Sequence, residues 1–296
     1  MQSSATNPPT TPETPAASSL PLVSVVVPTR NSAATLEACL RSVVNQCYPR
    51  VGLIVVDNAS SDKTKEIAAT FTKRVFDRGP ERSAQRNFGA REGAGEYVLF
   101  IDSDMELSPD VVVACVRQVG AKPGLQAIII PEESFGVGFW AGCKKLERSF
   151  YVGVDWIEAA RFFRKAVFEE LGGYNETFTG WEDFDLPQRL EAAYGAHAVG
   201  RIDEYIFHNE QVTSLWGLGQ KRFYYARHGA RKYMAVEANR GKYVKQLSVL
   251  QRYKLFCSQP RRLLRRPLVG AGMLFMKTWE FACAAAGFLA GKIRQT

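Results

Sequence analysis

Short apolar runs alternate with helical patterns along the first third of the chain, and this alternation limits the possible folds more than any other feature. Residues 23–27 and 53–56 are runs of strand-forming residues. Between them, residues 36–47 carry apolar side chains at the three- and four-residue spacing of an amphipathic helix. Strand, helix and strand at this spacing form a βαβ unit with a right-handed crossover. The sequence therefore predicts an α/β fold with a mainly parallel central sheet.

Residues 97–101, Tyr-Val-Leu-Phe-Ile, form an apolar run typical of a strand that is covered on both faces. The run ends at Asp102-Ser103-Asp104. In open α/β sheets, ligands bind at the carboxyl ends of the strands. Carboxylate oxygens suit Mg²⁺ or Mn²⁺, so Asp102 and Asp104 are candidate metal ligands. The alternative is a plain polar turn, because Asp and Ser are common turn residues.

Further elements are predicted downstream of this strand. A helix is expected over residues 82–92, strands over 127–130 and 159–163, and a helix from Trp181 to Tyr194. Residues 131–151 are rich in Phe, Trp and Gly and follow no clear period. We find no internal repeat.

The positive charge is concentrated at the carboxyl end of the chain. Residues 221–296 hold 17 Lys/Arg and 2 Asp/Glu, a net +15, whereas residues 1–220 hold 21 Lys/Arg and 28 Asp/Glu, a net −7. Such a division predicts a basic region that meets an anionic partner, either a membrane surface or nucleic acid.

The first 20 residues are rich in Pro, Thr, Ser and Ala and are predicted to be a disordered tail. They have no basic start and no apolar core, so we expect no signal peptide. The six cysteines show no zinc-site spacing and lie among apolar residues. This use of cysteine is typical of a reduced, cytoplasmic protein.

Four motifs occur in a fixed order, and together they resemble the family 2 glycosyltransferases. They are Val-Pro-Thr-Arg-Asn at 27–31, Val-Val-Asp-Asn-Ala-Ser-Ser-Asp at 55–62, Ser-Ala-Gln-Arg-Asn-Phe-Gly-Ala at 83–90 before Asp-Ser-Asp, and Gly-Trp-Glu-Asp-Phe-Asp-Leu at 180–186. The resemblance covers residues 21–210. It implies a Rossmann-like GT-A domain and an inverting enzyme that uses a nucleotide-diphospho-sugar, with UDP the first nucleotide to consider and GDP or dTDP as alternatives.

The resemblance also implies the donor contacts. Asp57 matches the residue that holds the nucleotide base, and Arg86-Asn87 matches an Arg-Asn pair near the diphosphate or sugar. The expected nucleotide-sugar contacts are Pro28, Thr29, Arg30, Asp57, Arg86, Asn87, Asp102, Ser103 and Trp181. For Asp57 a turn-capping role is the alternative, and for Arg86 an exposed position on a solvated helix face.

The metal ligands and the base are assigned in the same way. The resemblance implies that Mn²⁺ or Mg²⁺ is held by Asp102, Asp104 and His208, although a lone His is often structural. Asp183 matches the catalytic base, and Glu182 is expected to contact the acceptor or sugar. The alternative is that the acidic residues of this motif only favour a helix N-terminus.

The Glu182-Asp183 pair bears on the acceptor. Relatives that glycosylate polyprenyl phosphate directly usually lack the pair, so its presence favours a hydroxyl of a glycan or lipid-linked acceptor. The alternatives are a polyprenyl-phosphate glycosyltransferase and a catalytically inactive binding protein with a GT-A fold. Intact Asp102, Asp104 and Asp183 favour an enzyme.

Residues 211–296 are predicted to be a basic, mostly helical extension whose apolar segment 268–290 associates with a membrane. A spanning helix needs ~20 apolar residues, and each central charge costs ~2.5–3.5 kcal/mol. Because Lys277 and Glu280 interrupt the segment, we expect a peripheral or re-entrant element at the cytoplasmic face. The alternative is a helix packed on the catalytic domain. A nucleic-acid partner is not expected, since it would leave the apolar segment without a role.

Overall fold

A computed structural model of the protein describes residues 19–178, 180–211, 214–235 and 240–293. The predicted tail at 1–20 therefore lies, except for its last two residues, outside the described residues. In these ranges the strands are β1 (Val23–Thr29), β2 (Val51–Asp57), β3 (Val75–Asp77), β4 (Tyr97–Phe100), β5 (Met105–Leu107), β6 (Ala127–Ile129), β7 (Glu132–Phe135), β8 (Ala160–Arg164), β9 (Val199–Arg201) and β10 (Ile206–Asn209).

The α-helices are distributed along the whole described chain, and from residue 215 onward the regular elements are all helical. They are α1 (Leu36–Val44), α2 (Thr64–Phe71), α3 (Arg82–Glu92), α4 (Val111–Ala121), α5 (Phe139–Ser149), α6 (Lys165–Glu170), α7 (Glu182–Tyr194), α8 (Leu215–His228), α9 (Ala230–Ala235), α10 (Arg240–Leu247), α11 (Val249–Cys257), α12 (Pro260–Leu264) and α13 (Pro267–Ile293).

The central sheet has seven strands in the order β3-β2-β1-β4-β8-β6-β9. Strand β1 is parallel to β2 and β4, β2 is parallel to β3, and β6 is parallel to β9. Strand β8 runs antiparallel between β4 and β6. Every residue of β1 is buried, as expected of a strand covered on both faces. The predicted mainly parallel α/β sheet is confirmed, and it brings the ends of β1, β2 and β4 to one edge.

A second sheet of three strands, in the order β5-β10-β7, was not predicted. Its strands have three or four residues, and β7 lies in the stretch that follows no clear period. In this sheet His208 of β10 pairs with Met105 of β5 and with Ser134 of β7. The sheet therefore places His208 beside the loop that ends in Asp104.

Helix α3 packs closely against the central sheet because of Gly89. A Cβ atom on Gly89 would lie 2.4 Å from Cγ1 of Val26 in β1, a distance that would force the helix away from the sheet. The close approach sets the position of Arg86 and Arg82, which lie about one and two turns nearer the start of α3.

The two charges in the middle of α13 lie inside the protein. Lys277 Nζ lies 2.6 Å from Glu147 and 2.7 Å from Glu280, and Lys144 Nζ lies 2.6 Å and 2.8 Å from the same two carboxylates. Lys277 and Glu280 are both buried. These two charges, which argued against a spanning helix at the level of sequence, lie among carboxylates and ammonium groups from α5 and α13 that neutralise each other.

Helix α13 is long and apolar enough, by length and composition, to cross a membrane. It nevertheless packs along α8, where a Cβ on Gly287 would lie 2.3 Å from the Phe223 carbonyl oxygen. It also shares a buried cluster with α5 and α11 that includes Cys143, Phe256 and Met273. This cluster joins the predicted 211–296 extension to the predicted 21–210 domain, and the boundary at 210 stays a prediction.

The buried charge cluster yields a test of stability. Replacement Glu280→Gln leaves Lys144, Lys277 and Arg222 short of one carboxylate, and breaking a buried pair costs about 3–5 kcal/mol. We expect urea unfolding at pH 7 to show a loss of this size. The exposed Glu66→Gln on α2 is the matched control, and a loss below about 1 kcal/mol would contradict a stabilising cluster.

The same variant predicts a pH dependence. Although burial opposes its charge, Arg222, Lys144 and Lys277 hold the pKa of Glu280 well below its usual range. Its stabilisation is therefore present at neutral pH and is lost as the pH falls below about 4.3, the usual pKa of a glutamate. The difference in unfolding free energy between wild type and Glu280→Gln should shrink below that pH.

Candidate active site

A cavity of about 690 Å³ opens at the carboxyl edge of the central sheet, between that sheet, the second sheet and helix α8. This volume suits a nucleotide-sized ligand. We call it the central cavity. Six of the predicted site residues line it: Arg30, Asp102, Ser103, Asp104, Asp183 and His208.

Arg86 lies beneath the cavity and joins two of these residues. Its Nη2 lies 2.6 Å from Asp102 Oδ1, and its Nη1 lies 2.7 Å from Asp183 Oδ1. The side chain is fully buried, and its guanidinium lies 5.2 Å from the centre of the Tyr174 ring. Arg86 is therefore not an exposed helix residue: it links the loop after β4 to the start of α7.

Asp102 is surrounded by arginines. Besides Arg86, its carboxylate lies 3.6 Å from Arg161 and 3.9 Å from Arg82. Although burial disfavours its charge, these three guanidinium groups hold the pKa of Asp102 well below its usual range. The carboxylate is thus shared among three guanidinium groups, and its predicted contact with a metal stays a prediction.

Asp104 and His208 lie together on the cavity wall. His208 Nε2 is 3.4 Å from Asp104 Oδ2, and the Asp104 side chain is 38% exposed. Burial lowers the pKa of His208, but Asp104 and Glu132 outweigh it and raise the pKa to about 9. A carboxylate beside an imidazole is a donor pair that fits Mn²⁺ once the ring has lost its proton. The described residues contain no group of three or more His, Cys, Asp or Glu arranged to hold a metal.

The three acidic residues at the start of α7 have different surroundings. Asp183 lines the cavity. Glu182 is buried, 3.3 Å from Arg82, and burial together with Asp183 raises its pKa. Asp185 is also buried and lies 2.8 Å from Arg189, one turn along the same helix. Only Asp183 of the three faces the cavity, so the structure does not place Glu182 where an acceptor would touch it.

The predicted base-binding residues lie outside the cavity lining. Thr29 Oγ1 donates a 2.8 Å hydrogen bond to Asp57, and Ser60 N donates one of 2.7 Å to the same carboxylate. Pro28, Thr29 and Asp57 are all buried. The pairing of β1 with β2 brings Thr29 and Asp57 together, and their contact with a nucleotide stays a prediction.

Asn87 and Trp181 also lie away from the cavity. The Asn87 amide donates to the Tyr174 carbonyl oxygen at 2.8 Å and to Glu176 at 2.9 Å. Trp181 stacks on Tyr233 with 5.2 Å between the ring centres. These contacts hold the segment before α7 in place, and the predicted donor contacts of both residues stay predictions.

Several cavity residues were missed at the level of sequence. Arg161 and Glu132 lie in short strands, and their charges follow no pattern that indicates a site. Lys221 and Tyr225 were interpreted only as part of a membrane-binding segment. In the structure the Tyr225 ring packs on Gly180, where a Cβ would lie 2.8 Å from Tyr225 Cδ1 and φ is +81°. Helix α8 therefore supports the segment before α7, the helix that carries Asp183.

Solved structures with the same fold are glycosyltransferases. The mannosyltransferase PcManGT from Pyrobaculum calidifontis, in complex with GDP-Man and Mn²⁺, matches with a TM-score of 0.62 at 16% identity over 95% of this chain and 88% of that one. Glucosyl-3-phosphoglycerate synthase from Mycobacterium tuberculosis, with Mn²⁺ and UDP, matches with a TM-score of 0.53 at 21% identity over 71% and 79% of the two chains. At these identities the likeness shows a shared GT-A fold.

Curated relatives carry related names. Glycosyltransferase AglE of Haloferax volcanii is 38% identical over 96 residues, which are 29% of this chain and 32% of that protein. The beta-monoglucosyldiacylglycerol synthase of Trichormus variabilis is 26% identical over 250 residues, 73% of this chain and 50% of that protein. The chain thus spans half or less of the length of these two relatives.

The family model for glycosyl transferase family 2 matches residues 24–171, half of the chain. This range contains the loops after β1, β2 and β4 and the whole of α3, which carry three of the four motifs. The chain therefore belongs to glycosyl transferase family 2.

Proposed function

We propose that the protein transfers a sugar from a nucleotide-diphospho-sugar to a hydroxyl of a glycan or lipid-linked acceptor, with inversion at the anomeric carbon and Asp183 as general base. The observation that carries this proposal is the position of Asp183. Its carboxylate faces the same cavity as Asp104 and His208, and Arg86 holds it at 2.7 Å. A base and a candidate metal pair thus line one space large enough for both substrates.

The chemistry follows from a single displacement. The acceptor oxygen attacks the anomeric carbon and gives its proton to Asp183, while the bond to the nucleoside diphosphate breaks and that group leaves with the electron pair. Attack from the side opposite the leaving group inverts the configuration. Asp183 is partly exposed, with 30% of its side chain accessible, as a base that meets an incoming hydroxyl needs to be.

Asp104 and His208 are the residues that would hold a divalent cation. A bound Mn²⁺ or Mg²⁺ supplies positive charge against the leaving diphosphate. The two similar solved structures contain Mn²⁺ with GDP-Man or with UDP, which supports a divalent cation in this protein. UDP is the first nucleotide to test, followed by GDP and dTDP.

The lipid-facing part of the proposal rests on the outward side of α13. Leu268 and Phe275 are 80% and 59% exposed, and Leu289 is 59% exposed. Lys277 and Glu280, the charged residues in the middle of this helix, are buried and do not lie on that side. Four exposed arginines precede the helix: Arg261, Arg262, Arg265 and Arg266.

An apolar face next to exposed basic residues fits the surface of an anionic membrane. Because the opposite face of α13 packs on α8 and α5, we place the helix along the cytoplasmic membrane surface rather than across the bilayer. This position would bring the cavity to a lipid-linked acceptor. The name of one relative, beta-monoglucosyldiacylglycerol synthase, supports a lipid acceptor.

The general base is tested by Asp183→Asn, which keeps an oxygen for Arg86 but cannot take a proton. We expect normal donor binding by calorimetry and a loss of transfer of about 10²–10⁴-fold. The exposed Asp203→Asn serves as the matched control and should keep full activity. Product NMR should show the opposite anomeric configuration to the donor, and a retained configuration would refute the single displacement.

The metal pair is tested by Asp104→Asn and His208→Gln. Turnover should stop in EDTA and return with Mn²⁺. Each variant should need at least about ten-fold more Mn²⁺ for half-maximal rate, since even indirect partners of a metal contribute ten-fold or more. Titration of Mn²⁺ binding by electron paramagnetic resonance separates metal affinity from catalysis. Unchanged Mn²⁺ affinity in both variants would exclude this pair as the ligands.

The membrane face is tested by flotation with phosphatidylcholine vesicles, with and without phosphatidylglycerol. Wild-type protein should float only with anionic lipid and be released by salt, because each basic residue contributes ~1 kcal/mol. Phe275→Asp and the triple change of Arg261, Arg265 and Arg266 to Gln should both abolish flotation. The control is Val44→Asp, an equally exposed apolar site on α1. Resistance to carbonate extraction would instead indicate a spanning helix.

A further inference from the structure

One face of helix α8 lines the central cavity. Leu218, Lys221, Arg222 and Tyr225 all line it, and their spacing of three, four and seven residues is that of a single helix face. The helix is held in place by close packing, because a Cβ on Gly219 would lie 2.6 Å from Trp279 Nε1. The direction of these side chains is therefore set by the packing of α8 on α13.

Lys221 differs from most other cations that line the cavity, because no carboxylate in the described part of the chain lies within ion-pairing distance of it. The cations that do have carboxylate partners are Arg82, Lys144, Arg148, Arg161 and Arg222. Arg30, in the loop after β1, likewise has no ion pair with any residue that the structure describes. Among those residues, two cations of the cavity lining are therefore left without a carboxylate partner.

The surroundings of Lys221 are positive. Partial desolvation and the neighbouring charges of Arg82 and Arg222 lower the pKa of Lys221. The nearby carboxylates do not compensate, since Asp102 is already shared among three arginines and Asp104 lies beside His208. An ammonium group crowded by like charges is stabilised by an anion that enters the cavity.

We propose that Lys221 binds a phosphate group of a substrate in the central cavity, so that the basic helical segment contributes directly to the active site. Phosphate oxygens accept charge-assisted hydrogen bonds from ammonium groups, and Lys acts at such sites as a point charge. The phosphate can come from the donor diphosphate or from a phosphate on the acceptor. The assignment to a substrate rests on the proposed function, whereas the anion site itself does not.

Inorganic pyrophosphate is the first probe, because it carries phosphate chemistry without a base or a sugar. Calorimetry at low ionic strength should show pyrophosphate binding to the full-length protein and a loss of affinity of about ten-fold to a hundred-fold in Lys221→Gln. Lys221→Arg should keep most of the affinity, and the exposed Lys254→Gln on α11 should keep all of it. Thermal unfolding of each variant reports whether the fold is intact.

Two further binding measurements identify which substrate carries the phosphate that Lys221 binds. If UDP, GDP or dTDP loses affinity in Lys221→Gln while the free nucleoside does not, Lys221 binds the donor diphosphate. The alternative outcome is that the nucleoside diphosphate binds Lys221→Gln as tightly as wild type. If inorganic phosphate then binds to nucleotide-saturated wild type but not to nucleotide-saturated Lys221→Gln, Lys221 binds the acceptor phosphate.

The anion site is refuted if wild type does not bind pyrophosphate, or if folded Lys221→Gln binds it as tightly as wild type. This failure is distinct from failure of the proposed function. Pyrophosphate binding that depends on Lys221, together with unchanged transfer in Asp183→Asn, would uphold the anion site and refute the assigned base.

Discussion

The interaction on which the rest of the site depends is the buried guanidinium of Arg86. A charge removed from water is stable in a protein only when it is paired and hydrogen-bonded, and Arg86 meets this condition with one carboxylate from each of two distant segments. Asp102 follows the central strand β4 and Asp183 begins α7, 97 residues from Arg86. Because one guanidinium pairs with both carboxylates, the loop after β4 and the start of α7 are held in one geometry.

This arrangement divides the carboxylates between structural and chemical roles. Asp102, Glu182 and Asp185 are paired with arginines and have little exposed surface, whereas Asp104 and the Arg86-paired Asp183 are 38% and 30% exposed in the cavity. A carboxylate surrounded by three guanidinium groups is a weak base and a poor free ligand, while a partly solvated one can take a proton or meet a cation. The proposed base, Asp183, and the carboxylate of the proposed metal pair, Asp104, are therefore more accessible than the other three carboxylates.

The helical segment after residue 214 has two roles in this proposal. Its α8 supplies Lys221, Arg222 and Tyr225 to the cavity, and its α13 turns apolar residues such as Leu268 and Phe275 outward. The ion cluster of Lys144, Glu147, Lys277 and Glu280 couples these roles, because it neutralises the charges of α13 inside the protein. A helix whose central charges are neutralised inside the protein can lie against a lipid surface while its other face supports the active site.

The sequence by itself determined the α/β class, the strands β1, β2 and β4, helix α3 and the family, because apolar period and motif order are local properties. It also indicated Asp104, Asp183 and His208. It could not show that Arg86 is buried between two acids, that Asn87 faces away from the cavity, or that Lys277 and Glu280 point inward. Those facts depend on which segments meet in space, and ion pairing across 97 or 130 residues leaves no local pattern. The short strands of the second sheet are likewise set by tertiary pairing, since three or four residues carry too little periodicity to be recognised.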